Sequence, residues 1–223
     1  TVTAEGGPGG AGIGSGGEGD GDGGSHITIT GGTVNAIGGY WGAGIGGGGF
    51  KSGNDITITG GTVTAEGGTC GAGIGGGGNG GNAENIIIRG HSKVTATAGD
   101  GAAIGGGSAN GSGNDYVGGS AKGIVIRDHA TVVAKSDGGY WLGDSCAAIG
   151  AAGDKGKDTE AEVTIGTAGA TAEQEDVHVT ATGLYGSAIG SGIKDTKVTI
   201  QGHSTIRMES RKNSTAIGSN YGN

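Results

Sequence analysis

The chain has 223 residues, of which 61 are glycine and one is proline, with 13 basic and 21 acidic residues giving a formal net charge of −8. Glycine without a three-residue period and almost without proline excludes collagen, and scarce, unclustered Lys and Arg argue against a nucleic-acid partner. No apolar run approaches the ~20 residues of a membrane-spanning helix, so no membrane insertion is expected.

The first recognisable element is "TVTA" at residues 1–4, followed by Ile13 in "GIG". Next comes "ITIT" at 27–30, a two-glycine turn, "TVNA" at 33–36 and Ile45 within "GAGIGGGG". The same series returns as "ITIT" at 56–59, "TVTA" at 62–65 and Ile74, again within "GAGIGGGG". It continues as "IIIR" at 86–89, "KVTA" at 93–96 and Ile104, then "IVIR" at 124–127, "TVVA" at 131–134 and Ile149. The last two rounds are "VTIG" at 163–166, "HVTA" at 178–181 and Ile189, then "VTIQ" at 198–201, "TIRM" at 205–208 and Ile217. Apolar residues alternate within each short run, which is the pattern of a half-buried strand. No stretch carries helical periodicity.

Three short strands per unit of about 30 residues, repeated seven times, predict an all-β, right-handed parallel β-helix forming a single domain over 1–223. One such coil cannot bury its own inner face; stacking coils ~4.8 Å apart does. The expected inward columns are Ile27/Ile56/Ile86/Ile124/Val163/Val198, Val2/Val34/Val63/Val94/Val132/Val179/Ile206, and the seven isoleucines of the glycine-rich strand. A sandwich of glycine-linked hairpins is the rival architecture, and it accounts less well for a constant three-strand unit. The residue after each marker isoleucine is always glycine, from Gly14 to Gly218. A strand so poor in side chains implies a tight corner with close backbone packing, or a face approached by a ligand or another chain; the corner is the preferred reading. The chain opens inside a repeat, which suggests a piece of a larger protein.

The combination "ITITGGTVTAEGG…GAGIGGGG" resembles the glycine-rich repeats of large secreted or wall-attached proteins of Gram-positive, gut-type bacteria. Such proteins are similar to adhesins and carbohydrate-binding β-helices. The resemblance implies a non-catalytic, extracellular or cell-surface binding role, with a polysaccharide or glycoprotein glycan as partner.

Several local features bear on that role. Glu18, Asp20 and Asp22 alternate with glycine as in the first half of a calcium loop, and make a structural Ca2+ ion an expectation. Aromatic residues are few, yet "GGYW" occurs twice, placing Tyr40 and Trp41 and again Tyr140 and Trp141 on the turn after the second strand. Tyr185 sits in the corresponding turn "TGLYG". Rings on rigid turns stack on sugars; the same rings could instead cap the solenoid or cover its glycine strands. Insertions at 107–123, 135–146 and 166–177 mark an expected binding edge. His91 and His129 share a turn position on successive coils and are expected to stack, with the long 166–177 turn breaking the row before His203. Outward threonine pairs resemble an ice-binding ladder, but Lys93 and Arg207 fall in the same rows. Cys70 and Cys146 lie two coils apart, too far for a disulfide without a fold-back, so two free thiols are expected. The alternative functions are a structural stalk or a repeat self-associating through its glycine-rich faces, and third, a glycan-processing enzyme or ice-binding solenoid.

Overall fold

A computed structural model describes residues 1–17, 23–109, 117–138, 146–153, 159–191, 195–211 and 214–219. The described residues form three parallel sheets and no helix. The first sheet stacks seven strands: Val2–Glu5, Thr33–Ile37, Thr62–Glu66, Lys93–Ala98, Thr131–Ser136, Val177–Gly183 and Ser204–Ser210. The second stacks seven very short strands around the marker isoleucines, from Ile13–Gly14 through Ile74–Gly75 to Ile217–Ser219. The third stacks six, from Gly24–Ile29 through Ala83–Ile88 to Thr196–Ile200. Each strand pairs with its counterpart one coil away, which defines a right-handed parallel β-helix and excludes the hairpin sandwich.

The register is the one the sequence predicts. Val2 pairs with Val34, Val34 with Val63, Val63 with Val94, and so on to Ile206. Ile45, Ile74, Ile104, Ile149 and Ile189 are fully buried in one column, and Ile56, Ile86, Ile124 and Val163 in another. β-branched side chains suit this stack because their restricted rotamers pack flat against an identical neighbour. Each fully buried isoleucine contributes about 1.5–3 kcal/mol. Burial fails only in the terminal coils: Val2 is 52% exposed and Ile217 43%.

The glycine-rich strand is a corner, not a surface. The N–H two residues before the marker isoleucine donates to the carbonyl two residues after it: Ala43 to Gly47 at 2.8 Å, Ala72 to Gly76 at 2.9 Å, Ala102 to Gly106 at 3.0 Å. Closing that loop puts the glycine after the isoleucine at positive φ, +134° for Gly75. A Cβ on Gly75 would lie 2.1 Å from the carbonyl oxygen of Gly105 in the next coil. Residues 42–49 and 71–78, the two copies of "GAGIGGGG", are buried throughout. Glycine is required here because coil stacks on coil at backbone contact.

The insertion at 166–177 folds around Glu175, whose carboxylate accepts from the N–H of Asp128 at 3.1 Å and of Thr167 at 2.9 Å. It then re-enters the first-sheet register at Val177. Cys70 and Cys146 are both buried, and no disulfide joins them.

Gly75→Ala is expected to lower stability by about 2 kcal/mol or more, since both φ and space oppose it. Gly31→Ala, where a Cβ meets nothing within 4 Å, is expected to stay within about 0.5 kcal/mol of the parent. Urea midpoints of the two variants check the contrast.

Candidate functional site

Tyr40 and Trp41 follow the first-sheet strand of coil two. Their carbonyls accept from the next coil, Tyr40 from Cys70 N–H at 3.3 Å and Trp41 from Gly78 N–H at 2.7 Å. Trp41 occupies the corner position held by Gly9 in coil one and Cys70 in coil three; each of these carbonyls accepts an N–H of the following coil, from Gly49 to Gly9 at 2.8 Å and from Ser108 to Cys70 at 2.8 Å. Because coil one carries Gly9 and Gly17, neither of these positions puts a side chain beside the indole. A cavity of about 480 Å3 results, lined by Pro8, Gly9, Gly17, Tyr40, Trp41, Gly49 and Phe50. Gly49 keeps it open: a Cβ there would lie 2.9 Å from the Cβ of Trp41.

Three rings border this cavity. Tyr40 and Trp41 meet edge to face at 5.5 Å and 72°, and Trp41 and Phe50 at 6.0 Å and 68°. Phe50 sits at φ +65°, where bulky side chains are genuine outliers. Its counterpart in coil three is Asn79, at φ +61°, a residue type that tolerates this region. The backbone is held by the bond from Phe50 N–H to Gly78 O at 2.7 Å. Despite the strain Phe50 is 58% exposed, and Tyr40 is 51% exposed. An edge-to-face contact is worth about 0.5–1.5 kcal/mol, and a strained backbone position costs about 1–3 kcal/mol. The phenyl ring therefore adds little or nothing to stability. The buried Nε1 of Trp41 also lacks a hydrogen-bond partner among the described residues. Strain, an unsatisfied donor and exposed rings coincide at one corner.

The aromatic residues expected from sequence are not all gathered. Tyr185 lies half-buried in coil six, four coils or ~19 Å along the axis from Trp41. Tyr140 and Trp141 lie outside the described residues, as do Glu18, Asp20 and Asp22 of the expected calcium loop. Among the described residues no group of three or more His, Cys, Asp or Glu is placed to hold a metal ion. Phe50 was missing from the sequence reading. The signal was the change from "GGGGN" in coil three to "GGGGF" in coil two.

The histidine row differs from expectation in one respect. His91 and His129 stack with centroids 4.7 Å apart and planes 5° apart. The long turn does not end the row, because Asp176 enters it in the next coil. Asp176 meets His178 Nε2 at 3.1 Å and His203 Nδ1 at 3.5 Å. The hydrogen bond with His178, reinforced by the charges of His178 and His203, holds the Asp176 carboxyl below the usual carboxylate range. Its contribution to stability is complete above the pKa of a free aspartate and is lost as pH falls through the lower folded value.

Two predictions follow from this geometry. Phe50→Asn is expected to fold with stability within about 1 kcal/mol of the parent, since lost ring contacts offset relieved strain; a larger drop in the urea midpoint would make Phe50 a structural residue. Asp176→Asn is expected to flatten the acid limb of the stability profile below the pKa of a free aspartate, and an unchanged limb contradicts the carboxylate's role.

A family model described as "Beta helix repeat" matches residues 1–17, 27–49, 56–78, 86–108 and 178–193. The three central matches each run from a third-sheet strand through the glycine corner of one coil. Neither the curated proteins nor the solved structures give a match. The chain is similar to this repeat over those segments, and what it forms is a β-helical repeat region, one coil per repeat.

Proposed function

We propose that the chain is a non-catalytic extracellular binding module, adhesin-like, that takes a glycan at the corner formed by Tyr40, Trp41 and Phe50. The observation that carries this reading is Phe50, exposed and held at φ +65° beside Trp41. Backbone strain persists only where the surrounding structure over-determines it, and such residues cluster at ligand sites. Three rings at one open cavity offer apolar faces, the chemistry that stacks against the C–H faces of a sugar. Rigid attachment to a stacked scaffold lowers the ordering cost of binding. The cavity volume lies in the range of small-ligand sites. A cell-surface location agrees with the resemblance of the repeats, and a Ca2+ ion at Glu18, Asp20 and Asp22 belongs to the same proposal.

A second reading is a structural spacer or self-associating repeat. The regular stacking of coil on coil in constant register favours it.

A glycan array probed with the parent chain, with calcium and with chelator, tests the first reading. Binding to one glycan class is expected, with Trp41→Ala lowering affinity by about tenfold or more, or ~1.4 kcal/mol. Loss on chelation implicates the acidic loop. A blank array from folded protein, or binding indifferent to Trp41→Ala, rejects the site and moves the weight to the spacer.

A further inference from the structure

Phe50 also borders a second cavity, of about 410 Å3. Its side chains include Ser25, His26, Lys51, Asn54 and Asp55, and Phe50 is the one residue it shares with the aromatic cavity. The first cavity is lined largely by rings and glycines, and the second carries hydroxyl, amide, imidazole, ammonium and carboxylate groups. Three of the six described non-glycine residues at positive φ line this pair of cavities: His26 at +58°, Phe50 at +65° and Asp55 at +53°. In the third sheet the pairing skips from Ser25–Asn54 to Ile27–Ile56, so His26 and Asp55 stand out of the ladder as a stacked bulge. The buried Oδ1 of Asn54 has no hydrogen-bond partner among the described residues, as the indole of Trp41 has none across the ridge.

We propose that the two cavities are adjacent subsites for one neutral oligosaccharide, with Phe50 as the ridge between them. This rests on the glycan reading of the aromatic corner and adds to it the ligand's length and charge. One sugar stacks on the Tyr40–Trp41–Phe50 side, and the next presents hydroxyls to Asp55. The Asp55 carboxylate is suited to that task. Oδ1 accepts from Asn85 Nδ2 at 2.6 Å and Oδ2 lies 3.6 Å from His26 Nε2. A carboxylate has about four lone-pair sites, so acceptor capacity remains, and 43% of the side chain is exposed. Charge sets the class. The one ammonium of the subsite, Lys51, is matched by the Asp55 carboxylate, so the subsite offers no net positive charge to an acidic glycan and the chain's net charge of −8 disfavours one, whereas hydroxyl donors match an ionised acceptor.

The test titrates glucose, galactose and mannose homo-oligomers of one to six units into the parent chain, Asp55→Gly, Phe50→Asn and Trp41→Ala. Glycine is tolerated at the Asp55 position, since Gly123 holds the same bulge at φ +67° two coils on. The parent is expected to bind a two-unit ligand about tenfold or more tighter than one unit. Asp55→Gly is expected to lose that gain while keeping the one-unit affinity. Phe50→Asn weakens both, and Trp41→Ala abolishes both. If the parent shows no gain from one to two units, or Asp55→Gly keeps it, the two-subsite proposal is overturned while the aromatic site stands. If no oligomer binds the parent, or Trp41→Ala binds as the parent does, the aromatic site fails and the second subsite with it.

Discussion

The whole architecture depends on backbone-to-backbone contact at the glycine corner. Successive coils must stay at strand spacing on all three sheets at once, and the chain must turn sharply after each marker isoleucine. At Gly75 this leaves 2.1 Å between an imagined Cβ and the carbonyl of the next coil. Any side chain there would hold two coils apart, and would loosen the isoleucine columns on either side. The high glycine content is thus a condition for burying Ile45, Ile74 and Ile104 completely. It answers why a folded protein carries so many residues with nothing to bury: they let other residues be buried.

That rigid frame is what gives the strained corner its meaning. In coil three the position after the last glycine of the motif is Asn79, which fits its left-handed backbone. Coil two places a phenyl ring there and leaves it exposed. One position earlier in the corner series, coil one has Gly9 where coil two has Trp41, and the missing side chain becomes a cavity. The site arises from two departures from an otherwise repeating pattern, each at a position where the repeat itself shows what the unstrained choice would be. A solenoid supplies its own internal control in this way, because every coil samples the same backbone with a different side chain.

The strand columns, their parallel order and the glycine corner were legible because the apolar period and the repeat length are both carried by local sequence. The pairing of Val34 with Val63 or Ile27 with Ile56 needs no more than alignment of the units. The site was only half legible. Tyr40 and Trp41 stood out as rare aromatics on a turn, but Phe50 lies nine residues further on, across the glycine strand, and only the closed coil brings it against Trp41. Tyr185 shares the turn but not the neighbourhood, since equivalence within the repeat says nothing of distance along the axis. The histidine row was misread for a related reason: the length of the 166–177 turn suggested a break, whereas Glu175 ties that turn to Asp128 and Thr167 and returns the chain to register with Asp176 in the row.

The central claim is that a sugar contacts the indole of Trp41. It is tested most directly by following the Trp41 indole N–H resonance, assigned through Trp41→Phe, while neutral hexose oligomers are added. The account predicts a saturable shift of that resonance together with those of Tyr40 and Phe50, with Tyr185 unmoved. A resonance that stays fixed through saturation of binding measured independently, or shifts confined to other coils, would contradict it.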